Sequence, residues 1–348
     1  MKNLKKILLL ILVTSLFNRC TDHVDYEAIE GYQITSEIYF QQEADYDAAL
    51  VGTYDVLQWL FFNIQLGAIA SEITLCGGES ATDYIGIQQI DDMTHYPENN
   101  VLRQIWQFLY EGVNRANYME ENKANIDFEG KEAMYGEVYF LRAYYYFELV
   151  KFFGDVPLFT EARLTAGQAG TLTRTPKDEV YAQIELDLQN AIASLPNSQS
   201  QVGRVNKYTA YALLGKVLLY QDKFAEAASA LDNVIGVYSL VSDYGSQFLR
   251  FGENGPESVF EIQYSNQSNW YDWGCAHCSE GNYAIIMNGP RGWSGPEYAQ
   301  GWSFNVPTEE FYNSFEEGDS RRDATVLDIE AFAAATGASY TEGYDHTG

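Results

Sequence analysis

Helical spacing of apolar side chains begins near Asp45, breaks over 71–100 and is lost after Tyr238, returning briefly near Thr308. Ala48, Ala49, Val51, Gly52, Tyr54 and Leu57 suit a helix running to residue 62, with small side chains that allow close approach to a neighbour. Ile105, Trp106, Leu109, Val113, Ala116 and Met119 form one stripe and predict a helix over 101–123. Residues 136–158 read GEVYFLRAYYYFELVKFFGDVPL, and from 137 to 153 the only charges are Glu137, Arg142, Glu148 and Lys151. A helix that is apolar on all sides is buried on all sides, so this one belongs at the centre of the fold. Glu148 and Lys151 stand one turn apart and are expected to pair on whatever surface remains. The ring-bearing Tyr139, Tyr144, Tyr145 and Tyr146 must find partners for their hydroxyls at the edge of the core. Gly154 can take the left-handed conformation that closes a helix, and Pro157 prevents its resumption. Thr175 as N-cap and Pro176 in the first turn predict a fourth helix, with Val180, Ile184, Leu188 and Ile192 inward and Pro196 as its stop.

Residues 207–236 indicate the architecture. Tyr211, Leu214 and Leu218 flank the small Gly215; Ala227 follows twelve residues later, then Leu231 and Val234. This is tetratricopeptide (TPR) spacing, in which small residues let two antiparallel helices pack tightly, with Asp222-Lys223 as the turn. One repeat cannot bury its own face, so further pairs are required: 45–62 with 101–123, 132–153 with 178–195, and 208–220 with 225–237. The first two pairs match the repeat pattern only loosely, so the expected fold is mainly α, with a TPR-like helical-repeat core. Residues 71–100 read as a loop, punctuated by Gly77-Gly78, Asp91-Asp92 and Pro97. After Tyr238 the helical period is lost. ESVFEIQY at 257–264 reads as a short strand, and a Gly-, Asn-, Ser- and Trp-rich stretch then runs to about 305. Thr308 with Glu309-Glu310 predicts a capped last helix whose apolar contacts are Phe311 and Phe315. This second region is expected to be loop-rich and partly irregular, with short strands.

Composition narrows the function. The chain has 348 residues, 46% hydrophobic and 15% aromatic, enough for a substantial core. Its formal net charge of −28 excludes a nucleic-acid partner, which would demand concentrated Lys and Arg. Lys2, Lys5 and Lys6 precede an apolar run at 7–13, which reads as a secretory signal peptide over 1–19 and is too short to span a membrane. Cys20 stands where a bacterial lipoprotein carries its lipid, and several acyl chains together anchor stably. Phe17, Asn18 and Arg19 depart from the usual aliphatic–small–Gly or Ala pattern, so ordinary signal cleavage stays open as the alternative. The expected organisation is a signal peptide at 1–19, a lipid-anchored tether at 20–40, the helical core at 41–240 and a loop-rich, ligand-facing region at 241–348.

The 136–158 segment resembles the signature helix of the SusD/RagB family, the surface nutrient-binding lipoproteins of Bacteroidetes. The match runs through Gly136, Glu137, Phe140, Leu141, Arg142, Ala143, Tyr145, Tyr146, Phe147, Leu149 and Val150, then 154–158. Trp106, Asn114, Ala116 and Asn117 resemble a second family segment. YAQIELDLQNAIASLP, GRVNKYTAYALLGKVLLY, ESVFEIQY and PTEEF follow in the same order, and then GDSRRDATV with Asp319, Arg321 and Arg322. The resemblance implies a cell-surface, outer-membrane lipoprotein, with Asp22, Asp25 and Glu27 similar to the acidic export signal after the lipidated Cys. It implies capture of oligosaccharide for import through a SusC-like TonB-dependent transporter, with no cofactor. The family continues for well over a hundred residues with another helical hairpin, so a chain stopping at Gly348 is expected to be a C-terminally truncated member.

Trp270, Tyr271, Trp273 and Trp293 lie among Gly, Asn and Ser, where there is less core to enter. An exposed indole stacks on the C–H face of a pyranose while neighbouring polar groups bind the hydroxyls; the alternative is that these rings pin long loops to the helices. The family resemblance adds the 71–100 loop as a second source of ligand contacts, which here carries Glu72, Asp83, Tyr84 and Tyr96. Cys275-Ala276-His277-Cys278 offers too few ligands for a structural zinc site. A disulfide is the expected state in an exported chain, with free thiols, a metal or redox chemistry as alternatives. Cys76 is then either unpaired or bonded to one of that pair. The acid pairs Asp91-Asp92, Glu309-Glu310 and Glu316-Glu317 read as solvated loops or helix starts, and no nucleophile elbow, HExxH or phosphate loop occurs. Binding without catalysis is expected. A peptide ligand, a purely protein-binding TPR scaffold and a glycan-degrading enzyme are the alternatives.

Overall fold

The computed structural model describes residues 39–61, 63–267 and 275–341. The expected signal peptide, Cys20, nearly all of the tether, and Trp270, Tyr271 and Trp273 lie outside these residues. The helices are α1 (Glu43–Asp55), α2 (Ile85–Asp91), α3 (Asn100–Glu121), α4 (Lys131–Phe153), the single turn α5 (Ala166–Ala169), α6 (Lys177–Ser194), α7 (Lys207–Leu219) and α8 (Phe224–Leu231). Beyond them come α9 (Tyr283–Asn288), α10 (Glu309–Asn313), α11 (Arg321–Thr325) and α12 (Ile329–Thr336). Two short strands, β1 (Thr74–Leu75) and β2 (Val306–Pro307), pair antiparallel, Thr74 opposite Pro307.

The long helices stack in series: α1 on α3, α3 on α4, α4 on α6, α6 on α7 and α7 on α8. The three pairs expected from the sequence are all neighbours in this mainly α, TPR-like stack. Glycines set the close approaches. A Cβ on Gly215 would fall 2.5 Å from Leu231 across the α7–α8 crossing, and one on Gly112 would meet the buried Tyr145 ring at the same 2.5 Å. At the end of α4, Gly154 takes φ +67°, and its N–H bonds the Val150 carbonyl.

α4 is buried along most of its length, Glu137, Arg142 and Glu148 included. Arg142 is 4% exposed and grips Asp187 of α6 with two 2.8 Å hydrogen bonds. Its third nitrogen donates to Asn117 Oδ1 at 3.0 Å and to the Thr160 carbonyl at 2.7 Å. The guanidinium fork suits such bidentate pairing. The expected surface pair of Glu148 and Lys151 does form, but Glu148 is only 2% exposed. That corrects the reading, because α6 and α7 flank α4 and leave little surface there. Burial raises the Glu148 pKa, with Lys151 opposing. Burial also raises Glu137, whose carboxylate accepts the Tyr54 hydroxyl at 2.6 Å and faces Arg204 at 3.4 Å. Tyr135, Tyr145 and Tyr146 donate to the carbonyls of Met119, Thr53 and Phe159 at 2.6–2.7 Å, so the rings stay inside with their hydroxyls satisfied.

Several boundaries differ from the sequence reading. α1 ends at Asp55 and tightens into a 3₁₀ turn at Val56–Trp59, which buries Val56, Leu57 and Trp59. α8 stops at Leu231, since the Asn233 amide bonds the Ser229 and Ala230 carbonyls and competes with the helix. Thr175 does not cap α6. It bridges Val156, while Asp155 accepts the Lys177 N–H at 2.8 Å. Thr308 does cap α10, accepting the Phe311 N–H. The loop expected over 71–100 contains α2 and β1. Conversely, 257–264 forms no strand with the described residues. Phe260 and Ile262 instead pack on the helical core, Phe260 against Phe140, so the alternation serves a helix surface rather than a ladder.

Candidate functional site

The 71–99 loop and the 275–307 segment, far apart in sequence, build one face. β1 pairs with β2, and the Thr308 N–H reaches the Ile73 carbonyl at 3.0 Å. Gly78, at φ +107°, leaves room for the Phe304 ring, where a Cβ would sit 2.8 Å away. Arg291 is the fastener. Its guanidinium holds Asp83 Oδ2 at 3.1 Å, the Trp302 carbonyl at 2.9 Å and Glu79 at 3.8 Å. The only local sign of Arg291's role in the sequence is an arginine among glycines in NGPRGWSG.

The expected ligand residues fare differently. The Asp83 carboxylate is occupied by Arg291 and by the Glu79 N–H at 2.9 Å. Tyr84 adopts φ 51° and meets Phe304 edge-on at 5.8 Å, and Gln65 donates to its hydroxyl at 3.4 Å. Burial lifts that phenol to about 12. Both side chains make contacts within the protein. Tyr96 is 51% exposed and stands clear. Trp293 contradicts the expectation of an exposed platform: it is 6% exposed, packed on Tyr298 and Phe332 at 6.1 and 5.8 Å, with a buried, unpartnered indole N–H.

Cys275 and Cys278 form a disulfide, and His277 between them lays its ring edge-on against Trp59 at 5.6 Å and Phe108 at 6.2 Å. The Cys275, His277 and Cys278 ligand atoms lie within 4.8 Å of one another, yet sulfurs bonded to each other offer no thiolate to a metal. Behind them Ser279 shares a 3.3 Å contact with the Tyr283 hydroxyl, and Tyr283 stacks on Phe61. Ser265 N–H bonds the Glu280 carbonyl at 2.8 Å, so the two flanks of the Trp270–Trp273 segment are drawn together on the helical core. Cys76 is a free thiol, fully buried and separate from this pair; desolvation pushes it up to about 12, and its N–H bonds Asp91 at 2.8 Å. Asp92, Glu309, Glu310, Glu316 and Glu317 are exposed.

The described residues thus form a helical-repeat stack carrying a separate loop face. Residues 70–219 match the SusD-like family described as "Starch-binding associating with outer membrane". SusD-like protein P2 of Formosa agariphila is 30% identical over 313 residues, covering 86% of this chain and 60% of the relative. The structure of a laminarin-binding SusD-like protein is similar, with a TM-score of 0.79 at 34% identity, over 88% of this chain and 70% of that one. Surface glycan-binding protein A from Bacteroides thetaiotaomicron, in complex with laminarihexaose, gives a TM-score of 0.75 at 26% identity, over 84% and 65%. This chain belongs to the SusD-like family. It spans about 60% of the length of the curated relatives it matches. No helix among the described residues is long and apolar enough to cross a membrane.

Proposed function

We propose that this protein captures an oligosaccharide at the outer surface of the cell and passes it to a SusC-like TonB-dependent transporter in the outer membrane. The observation that carries this reading is family membership combined with similarity to a laminarin-binding relative across most of the chain. Lipidation at Cys20 would tether the protein to the membrane, the helical core at 41–240 would serve as base, and the region from 241 onward would face the ligand. Trp270, Tyr271 and Trp273 are the proposed stacking residues, with Tyr96 as an exposed aromatic on the neighbouring loop. No catalytic step is assigned. Glu309-Glu310 opens α10, where acids offset the helix dipole, Glu316-Glu317 is exposed beyond it, and Asp91 at the end of α2 accepts the Cys76 N–H. Affinity electrophoresis through native gels containing laminarin, starch or other polysaccharides tests the reading. Retardation by laminarin is expected, and unchanged mobility of the folded protein in every glycan gel would contradict it.

A further inference from the structure

Apart from the Trp270–Trp273 segment, the described residues enclose a cleft of about 760 Å³ between the 285–307 segment and the 325–341 segment. Small-molecule sites run from roughly 300 to 1,000 Å³. Its walls are tied together by backbone. Ser294 and Ser339 exchange two hydrogen bonds at 2.8 and 2.9 Å, and Thr341 N–H reaches the Arg291 carbonyl at 3.3 Å. A cleft held this way exists before a ligand arrives, so little ordering cost is incurred on binding.

The lining combines two tyrosines, Tyr298 and Tyr340, with mostly uncharged hydrogen-bonding groups. Tyr298 is 44% exposed and is braced edge-on by Trp293 at 6.1 Å and Phe332 at 5.2 Å. Asn305 donates to the Asn288 side-chain oxygen at 2.8 Å, while its own side-chain oxygen is buried without a partner. Asn288 and Asn305 both line the cleft and put amide groups into its wall. Thr341 adds a hydroxyl and Glu330 a carboxylate, while the Ser303 hydroxyl is engaged within the wall, accepting the Arg291 N–H at 2.9 Å. Arg291 also lines the cleft, but its charge is engaged by Asp83 and Glu79.

The geometry points to this cleft as a binding site for a neutral oligosaccharide, with Tyr298 as the ring against which a sugar packs and Trp293 as the residue that positions it. The inference rests on the glycan-binding reading and adds a location and a charge preference. An aromatic ring beside amides and hydroxyls matches the alternating apolar and polar faces of a pyranose. A uronate or sulfated polymer finds no uncommitted cation there, and the chain's net charge of −28 repels polyanions at long range. Trp293, expected from the sequence to touch ligand, acts in this arrangement through Tyr298.

Isothermal titration with laminarihexaose as neutral probe and an alginate hexamer as anionic probe tests the assignment. The unaltered protein should bind the neutral probe and not the anionic one. Tyr298→Ala should weaken binding by about tenfold, the size of one lost aromatic contact. Asn305→Ala should weaken it too, with helical circular dichroism unchanged in both. Trp293→Phe should retain affinity, while Trp293→Ala combined with Tyr298→Ala should be no weaker than Tyr298→Ala alone, as a positioning role requires. Normal binding in Tyr298→Ala and Asn305→Ala would overturn the cleft while leaving glycan capture intact. Equal affinity for the alginate hexamer would overturn the charge preference. Failure of the unaltered protein to bind laminarihexaose, starch oligosaccharides or any other neutral sugar would bring down both readings.

Discussion

Removing the carboxylate of Asp187 isolates the most demanding interaction of the helical stack. Arg142 is 4% exposed, and Asp187 is its anionic partner through two 2.8 Å bonds; Asn117 and the Thr160 carbonyl complete the shell but carry no charge. Asp187→Ala therefore leaves a buried guanidinium without a counter-ion, which costs about 3–5 kcal/mol. Replacing both partners, in Arg142→Met with Asp187→Leu, removes the stranded charge. It still deprives Asn117 and Thr160 of a donor, at about 1–3 kcal/mol for each buried acceptor left unmade. That sum, about 2–6 kcal/mol, overlaps the cost of Asp187→Ala, so the single variant carries the test. Urea unfolding followed by helical circular dichroism reads the difference. With a slope of about 3 kcal/mol per molar, Asp187→Ala should lower the midpoint by roughly 1–1.7 M. Because the bridge joins α3, α4 and α6, remote from the loop face, glycan affinity of the folded variant should be unchanged. A midpoint within 0.2 M (about 0.6 kcal/mol) of the unaltered protein would refute the reasoning, since a buried unpaired charge cannot be that cheap.

Other substitutions probe the same framework. Gly112→Ala drives a Cβ into the fully buried Tyr145 ring and should destabilise by about 1–2 kcal/mol, overpacking outweighing helix propensity. Gly215→Ala should be neutral or stabilising in the same urea titrations, because Leu231 is 39% exposed and can swing aside. Glu148, whose folded pKa lies above the usual carboxylate value of 4.5, holds a proton in the folded state that the unfolded chain has already lost. Its contribution to stability falls as pH rises from that value through the raised one, so Glu148→Gln should flatten the decline of urea midpoint with pH over that range. Iodoacetamide should leave the native, unreduced protein unlabelled at Cys76, Cys275 and Cys278. Mild reduction should add labels at Cys275 and Cys278 only, and Cys76, with its thiol pushed up to about 12, should react only in denaturant. Mass spectrometry of the peptides reads each step.

Helices were legible because their signal is local. The 3.6-residue stripe of Ile105, Leu109, Val113 and Ala116, and the Gly215–Ala227 spacing, depend on residues within a few turns of one another. What these helices do with their charges was not legible. Asp187 lies 45 residues from Arg142, and neither neighbourhood advertises the other. The loop face was harder still. Asp83 and Arg291 meet across 208 residues, and their ion pair fastens the two segments of the face together. Gly, Asn and Ser around Trp293 were a fair sign of irregular backbone. They carried no information about burial, which Tyr298 and Phe332 decide. The alternation of ESVFEIQY was real, but a two-residue period shows only that one side is apolar, and here that side rests on helices.

The central claim is that rigid helices hold up a loop face that binds sugar. Hydrogen–deuterium exchange of the protein with and without laminarihexaose tests it most directly. Protection is expected in peptides from 265–307 and 325–341, and in the adjoining 71–99 loop, while exchange in α4 and α6 stays the same. Ligand-dependent protection confined to the grooves between α3, α4 and α6, with none in the loops, would contradict the account.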